Sequence, residues 1–180
     1  MLRSSATETW KPSTKQLRAA ASNSAQLDTS AWDSVSAVTL TLKQALWSGS
    51  EGRRIFADEH QCSRAFRHFM NLLNRAIYGS AFRRGKKRLR VIPVLEKDQV
   101  GRFHYHAAIE VLSRIKPWQF QALVWHCWSR TDWSYDRTSV EFSADQGWVN
   151  YMLKPRQKSG FEAWSDCIDW NNLHNPIANA

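Results

Sequence analysis

His104 and His106 stand two residues apart in the segment Arg102-Phe103-His104-Tyr105-His106-Ala107-Ala108-Ile109-Glu110. Imidazole is a common ligand for transition metals, and two imidazoles can converge on one cation if the backbone holds them side by side. The surrounding pattern does so. Phe103, Tyr105, Ala107 and Ile109 alternate with His104, His106, Ala108 and Glu110, the period of a β-strand, in which every second side chain shares a face.

A carboxylate joins the pair if the preceding strand, Val91-Ile92-Pro93-Val94-Leu95-Glu96, folds back on it. With Gln99-Val100-Gly101 as a three-residue loop, Asp98 pairs with Arg102 and Gly101 takes the left-handed position such loops require. Glu96 then lies opposite His104, and cross-strand neighbours on one face are about 5 Å apart. A slip of one residue would turn Glu96 to the other face. Two histidines and a glutamate with open positions suit a divalent cation that also binds a substrate oxygen.

The second reactive group is Tyr151. Ser143-Ala144-Asp145-Gln146 matches the capping-box pattern and predicts a helix starting there. At helical spacing Trp148, Val149, Met152 and Leu153 share one sector, and Gly147, Asn150, Tyr151 and Lys154 share the opposite one. Tyr151 and Lys154 are therefore neighbours one turn apart. Positive charge beside a phenol favours the phenolate, a nucleophile for phosphorus. A cation that grips a phosphate and a tyrosine that attacks it make an apparatus for cutting DNA through a phosphotyrosine. A Tyr–Lys pair alone is more often an ordinary exposed pair, and an isolated His-x-His often faces only water. Here both occur with Glu96.

These groups need a framework. Of the 180 residues 43% are hydrophobic and ten are tryptophan, enough for one domain with a core. A net charge of +9 and a pI near 9.8 predict an anionic partner, nucleic acid first, with no membrane segment and a cytoplasmic location. Cys62, Cys127 and Cys167 are odd in number and widely spaced, which fits neither a disulfide framework nor a thiolate zinc site. Residues 1–34 read as a flexible tail, 35–155 as the core and 156–180 as a C-terminal extension.

Within the core, Val35–Leu42 alternates as the first strand, with Thr39 and Thr41 on one face. Lys43–Arg54 reads as a loop. Ile55 to Tyr78 reads as an amphipathic helix with Phe66, Phe69, Met70, Leu73 and Ile77 inward. Lys116-Pro117 opens another helix whose apolar side is Trp118, Leu123, Val124, Cys127 and Trp128. Thr138–Phe142 is a short fourth strand. Strand, helix, strand, strand, helix, strand is the ferredoxin-like (RRM-like) α+β order: an antiparallel sheet with helices on one face, the other free for a ligand, and a catalytic helix after the fourth strand. Arg83, Arg84, Lys86, Lys87, Arg88 and Arg90 form the densest basic run, placed to contact phosphates.

The ordered set of motifs resembles the HUH endonucleases, and within them the replication-initiator (Rep) proteins of rolling-circle plasmids and single-stranded DNA phages. Val38-Thr39-Leu40-Thr41-Leu42 is similar to the first Rep motif, Phe103-His104-Tyr105-His106 to the His-hydrophobic-His motif, and Tyr151-Met152-Leu153-Lys154 to the Tyr-x-x-Lys motif. The resemblance implies that His104, His106 and Glu96 bind Mg²⁺ or Mn²⁺, that Tyr151 attacks the phosphate beside Lys154, and that Thr39 and Thr41 join the basic run in contacting DNA. It implies a site-specific nick in single-stranded DNA at an origin or hairpin, leaving a 5′-phosphotyrosine and a 3′-hydroxyl primer. With no helicase segment in these 180 residues, a host helicase and polymerase would complete replication. Two other readings fit: a single-tyrosine HUH transposase, and a non-catalytic ferredoxin-like module whose sheet stacks on bases.

Overall fold

The computed structural model describes residues 26–48, 52–85, 87–152 and 167–176. Its strands are β1 (Val35–Leu42), β2 (Ala45–Trp47), β3 (Arg54–Phe56), β4 (Val91–Lys97), β5 (Phe103–Glu110) and β6 (Ser134–Ala144). Its helices are α1 (Glu59–Tyr78), α2 (Ser80–Arg83), α3 (Pro117–Trp128) and α4 (Gln146–Met152). β4-β5-β1-β6 form one antiparallel sheet, the ferredoxin-like order, and α1 and α3 pack on one of its faces.

Alternation decides which side chains go to which face. Val38, Leu40 and Leu42 of β1 and Tyr105, Ala107 and Ile109 of β5 join Phe66, Phe69, Leu73, Phe120, Val124 and Trp128 in the helix-side core. Tyr105 stacks on Phe66 with centroids 4.3 Å apart, and Trp128 meets Phe69 edge-on at 5.8 Å. α1 starts at a capping box: Asp58 accepts from the Gln61 amide at 2.7 Å, and the Gln61 side chain accepts from the Asp58 amide at 3.1 Å. It ends at Gly79, whose φ of 54° favours glycine.

Several local expectations change. Lys43–Arg54 is not simply a loop: β2 pairs with β3, which takes Ile55 and Phe56 out of the helix and moves its start to Glu59. β6 is eleven residues long rather than five and stays paired with β1 through Ala144. Ser143 therefore remains in the strand, at a φ of 63° beside a bulge, and cannot cap α4. Asp145 does so instead, accepting from the Trp148 amide at 3.0 Å. On α3, Trp118 points outward at 64% exposure and Phe120 takes the core position.

The sheet face away from α1 and α3, expected to be free, is partly covered. Leu27, Trp32, Ile92, Val94, Ala108, Val149, Met152 and Ile168 bury one another there. Residues 26–34, expected within the tail, are thus built into the structure; residues 1–25 lie outside the described part. Gln146 accepts from the amide and hydroxyl of Thr29, and Asn175 bonds Trp32 and the carbonyls of Gln26 and Asp28. The 167–174 segment lines the β4 edge through bridges Val94–Ile168 and Val91–His174, so its ladder groups are satisfied. No helix among the described residues is long and apolar enough to cross a membrane.

Candidate active site

The β4–β5 turn has the expected register. Glu96 is opposite His104, Asp98 is joined to Arg102 by an amide-to-carbonyl bond of 2.9 Å, and Gly101 has a φ of 83°. His104, His106 and Glu96 all point to the face away from α1 and α3, because their neighbours Phe103, Tyr105 and Leu95 belong to the helix-side core.

β1 brings Thr39 opposite His106 and Thr41 opposite His104. The Thr39 hydroxyl is 3.1 Å from His106 Nδ1 and the Thr41 hydroxyl 3.2 Å from His104 Nδ1. Both rings are held by the same nitrogen, which leaves both Nε2 atoms for other partners. These are carboxylates: His106 Nε2 lies 3.3 Å from Glu96 Oε2, and His104 Nε2 lies 3.1 Å from Asp98 Oδ2. The imidazoles are about one-quarter exposed, so the pairs are open to a ligand.

Asp98 is the residue that motif reasoning missed; its oxygens also accept from the amides of Val100 and Arg102 at 3.1 and 2.8 Å. The Arg102 amide first, and His104 second, hold its carboxyl below the usual aspartate range. An aspartate in the hairpin loop two residues after the glutamate was the available signal. The threonines were read as DNA contacts, yet they orient the ring nitrogens; their shared period with the histidines pointed to this.

The donor set of two imidazoles and two carboxylates suits a divalent cation, with second-sphere hydroxyls already on the other ring nitrogens. Among the described residues no three such side chains converge as a preformed site, because each Nε2 is engaged by its own carboxylate. A cation would exchange these two hydrogen bonds for coordination.

α4 lies on the same sheet face. Val149 and Met152 are buried in the cluster that includes Val94, the residue opposite His106, while Tyr151 is 51% exposed. The sector expected from helical spacing therefore holds for the described residues. Lys154 and Leu153 lie outside them.

The basic run is elsewhere. It precedes Val91, at the end of β4 remote from Glu96, a separation of about 17 Å at strand rise. Arg83, Arg84, Lys87 and Arg88 are exposed there, and Lys86 lies outside the described residues. Arg90 is engaged within the protein: it donates to the Ala31 carbonyl at 2.6 Å and pairs with Glu110 at 3.8 Å.

Residues 35–160 match the family model for replication-associated proteins of the ORF2 type. That span is most of the chain, and the chain belongs to this family of replication-associated proteins. Neither the curated proteins nor the solved structures give a significant match.

Proposed function

We propose that the protein is a replication initiator that nicks single-stranded DNA and holds the cut strand on Tyr151. The observation that carries this reading is the sharing of one sheet face by two threonine-oriented histidines, two carboxylates and the helix bearing Tyr151. Membership of a replication-associated family supports the DNA substrate.

His104 and His106, with Glu96 and Asp98, would hold Mg²⁺ or Mn²⁺. When bound, the cation supplies charge neutralisation at the scissile phosphate. The chain's own residues do the rest. Thr39 and Thr41 fix the ring orientation. Tyr151 gives up its phenolic proton to solvent and forms a bond to phosphorus, while the bond from phosphorus to the 3′-oxygen breaks. The products are a 5′-phosphotyrosine and a strand with a 3′-hydroxyl that can prime synthesis. Lys154, three residues on, would place a positive charge near the phenol and phosphate. Burial of Val149 and Met152 positions the nucleophile: the two side chains contribute about 1.5–3 kcal/mol each to docking α4.

The test is capture of the protein–DNA adduct. Incubation of the full chain with single-stranded DNA and Mn²⁺ should give a species that survives denaturation, and chelation with EDTA should prevent it. Nicking without an adduct would assign the attack to water.

A further inference from the structure

β2 and β3 carry an aromatic surface that the core does not use. Their register pairs Trp47 with Arg54 and Ala45 with Phe56, so Trp47, Arg54 and Phe56 stand on one face of the ribbon. Trp47 is 71% exposed and Phe56 66%. The Arg54 guanidinium lies over both rings, 5.8 Å from one centroid and 5.5 Å from the other. A ribbon of three residue pairs is marginal by itself, and nothing in its own folding requires two large rings in water.

The ribbon is also fixed beside the candidate site. It leaves β1 immediately after Thr41, the residue bonded to His104. Gln44, at its root, donates to the Val100 carbonyl at 3.3 Å and accepts from the Ala57 amide at 2.9 Å. Val100 is at the tip of the loop that holds Asp98 and is itself exposed. Near the same end Arg102 lies 4.4 Å over the Tyr135 ring.

We propose that the Trp47–Arg54–Phe56 face is a stacking platform for the bases of single-stranded DNA, set next to the histidine pair. Aromatic faces accept any base, and an adjacent guanidinium adds cation–π attraction and a phosphate partner. Arg53 and Arg54 give the ribbon the charge that a polyanion requires, in a chain of net +9. The proposal rests on the nicking reading for the role of the bound strand, though its binding chemistry does not.

The experiment compares two fluorescent probes, an oligothymidylate and an oligonucleotide of equal length without bases, binding to the full chain in EDTA. Trp47→Ala and Phe56→Ala should each weaken oligothymidylate binding by about 5-fold or more and leave the abasic probe unchanged. Trp47→Phe should recover most of the loss. Unchanged oligothymidylate binding by both alanine variants would overturn the proposal and give the surface to a protein partner. Equal weakening of both probes would also overturn it, since the rings would then only support phosphate contacts. Adduct formation with Mn²⁺, measured in parallel, keeps the two readings apart. Base-dependent binding without any wild-type adduct leaves the platform standing and removes the nuclease. An adduct with unaltered binding in the ring variants does the reverse.

Discussion

Thr41 holds His104 from the neighbouring strand, its hydroxyl 3.2 Å from Nδ1, and the Thr39–His106 pair repeats this relationship one strand period away. The duplication gives both imidazoles the same orientation, with Nε2 turned to a carboxylate. A hydroxyl on the second nitrogen of a metal-ligating histidine fixes its tautomer and direction. Replacing both threonines by valine keeps the β-branched shape and removes the oxygens. Mn²⁺ affinity, measured by titration calorimetry, should fall by about 10- to 100-fold while the fold persists. Unchanged affinity would mean the hydroxyls do not support a metal site.

Asp98 makes the β4–β5 turn sensitive to acid. Its folded carboxyl titrates below its unfolded value, because the Arg102 amide and then His104 favour the charged form. Its stabilising contribution is therefore complete above about pH 4, the unfolded aspartate range, and is lost as pH falls through the folded value. Asp98→Asn should unfold at lower urea than the parent protein at neutral pH, and the gap should close in strong acid. A gap independent of pH would rule out the charged role.

The C-terminal segment is anchored by Tyr105, whose buried hydroxyl donates to Asp169 Oδ2 at 2.7 Å. Asp169 also accepts from Ser63 and Asn172, so it ties the segment to α1. Burial first, and the Asp169 charge second, push the Tyr105 phenol far above its ordinary range, so it stays a donor at every physiological pH. Tyr105→Phe should cost about 1–3 kcal/mol in urea unfolding, as expected for a buried acceptor losing its donor. A smaller loss would show the anchor to be weak.

The exposed basic run should position DNA without taking part in the reaction. Replacing Arg83, Arg84 and Lys87 by alanine should flatten the salt dependence of single-strand binding by up to about 2 units and leave the adduct yield at saturating DNA intact. Arg90→Ala should act differently, lowering thermal stability through its lost contacts with Ala31 and Glu110. An unaltered slope would make the run a solvated loop.

Sequence patterning reveals the sheet because alternation in β1 and β5 is dictated by one buried core face, and it reveals the hairpin register because Gly101 and the loop length leave one solution. His104, His106 and Glu96 are legible for the same reason. Asp98 is not, because a loop carboxylate takes its place through backbone amides rather than any period. The N-terminal segment is hidden differently: Leu27 and Trp32 are two isolated apolar residues in a polar stretch, and their burial depends on Gln146 and Asn175, more than a hundred residues away. The shift of the α4 cap from Ser143 to Asp145 follows from β6 pairing with β1 beyond its apparent end, a tertiary effect that overrides a local motif.

If Tyr151 attacks phosphorus and keeps the 5′ end, the polarity of the captured strand reveals it. The measurement is denaturing electrophoresis of the protein incubated with Mn²⁺ and a random-sequence single-stranded DNA library, labelled at the 3′ end in one reaction and the 5′ end in another. The 3′ label alone should migrate with the protein, the 5′ label should appear on free shortened strands, and Tyr151→Phe should abolish the adduct while binding DNA nearly as well. Cleavage at the parent level by Tyr151→Phe, or retention of the 5′ label on the protein, would refute the assignment of Tyr151 as the nucleophile.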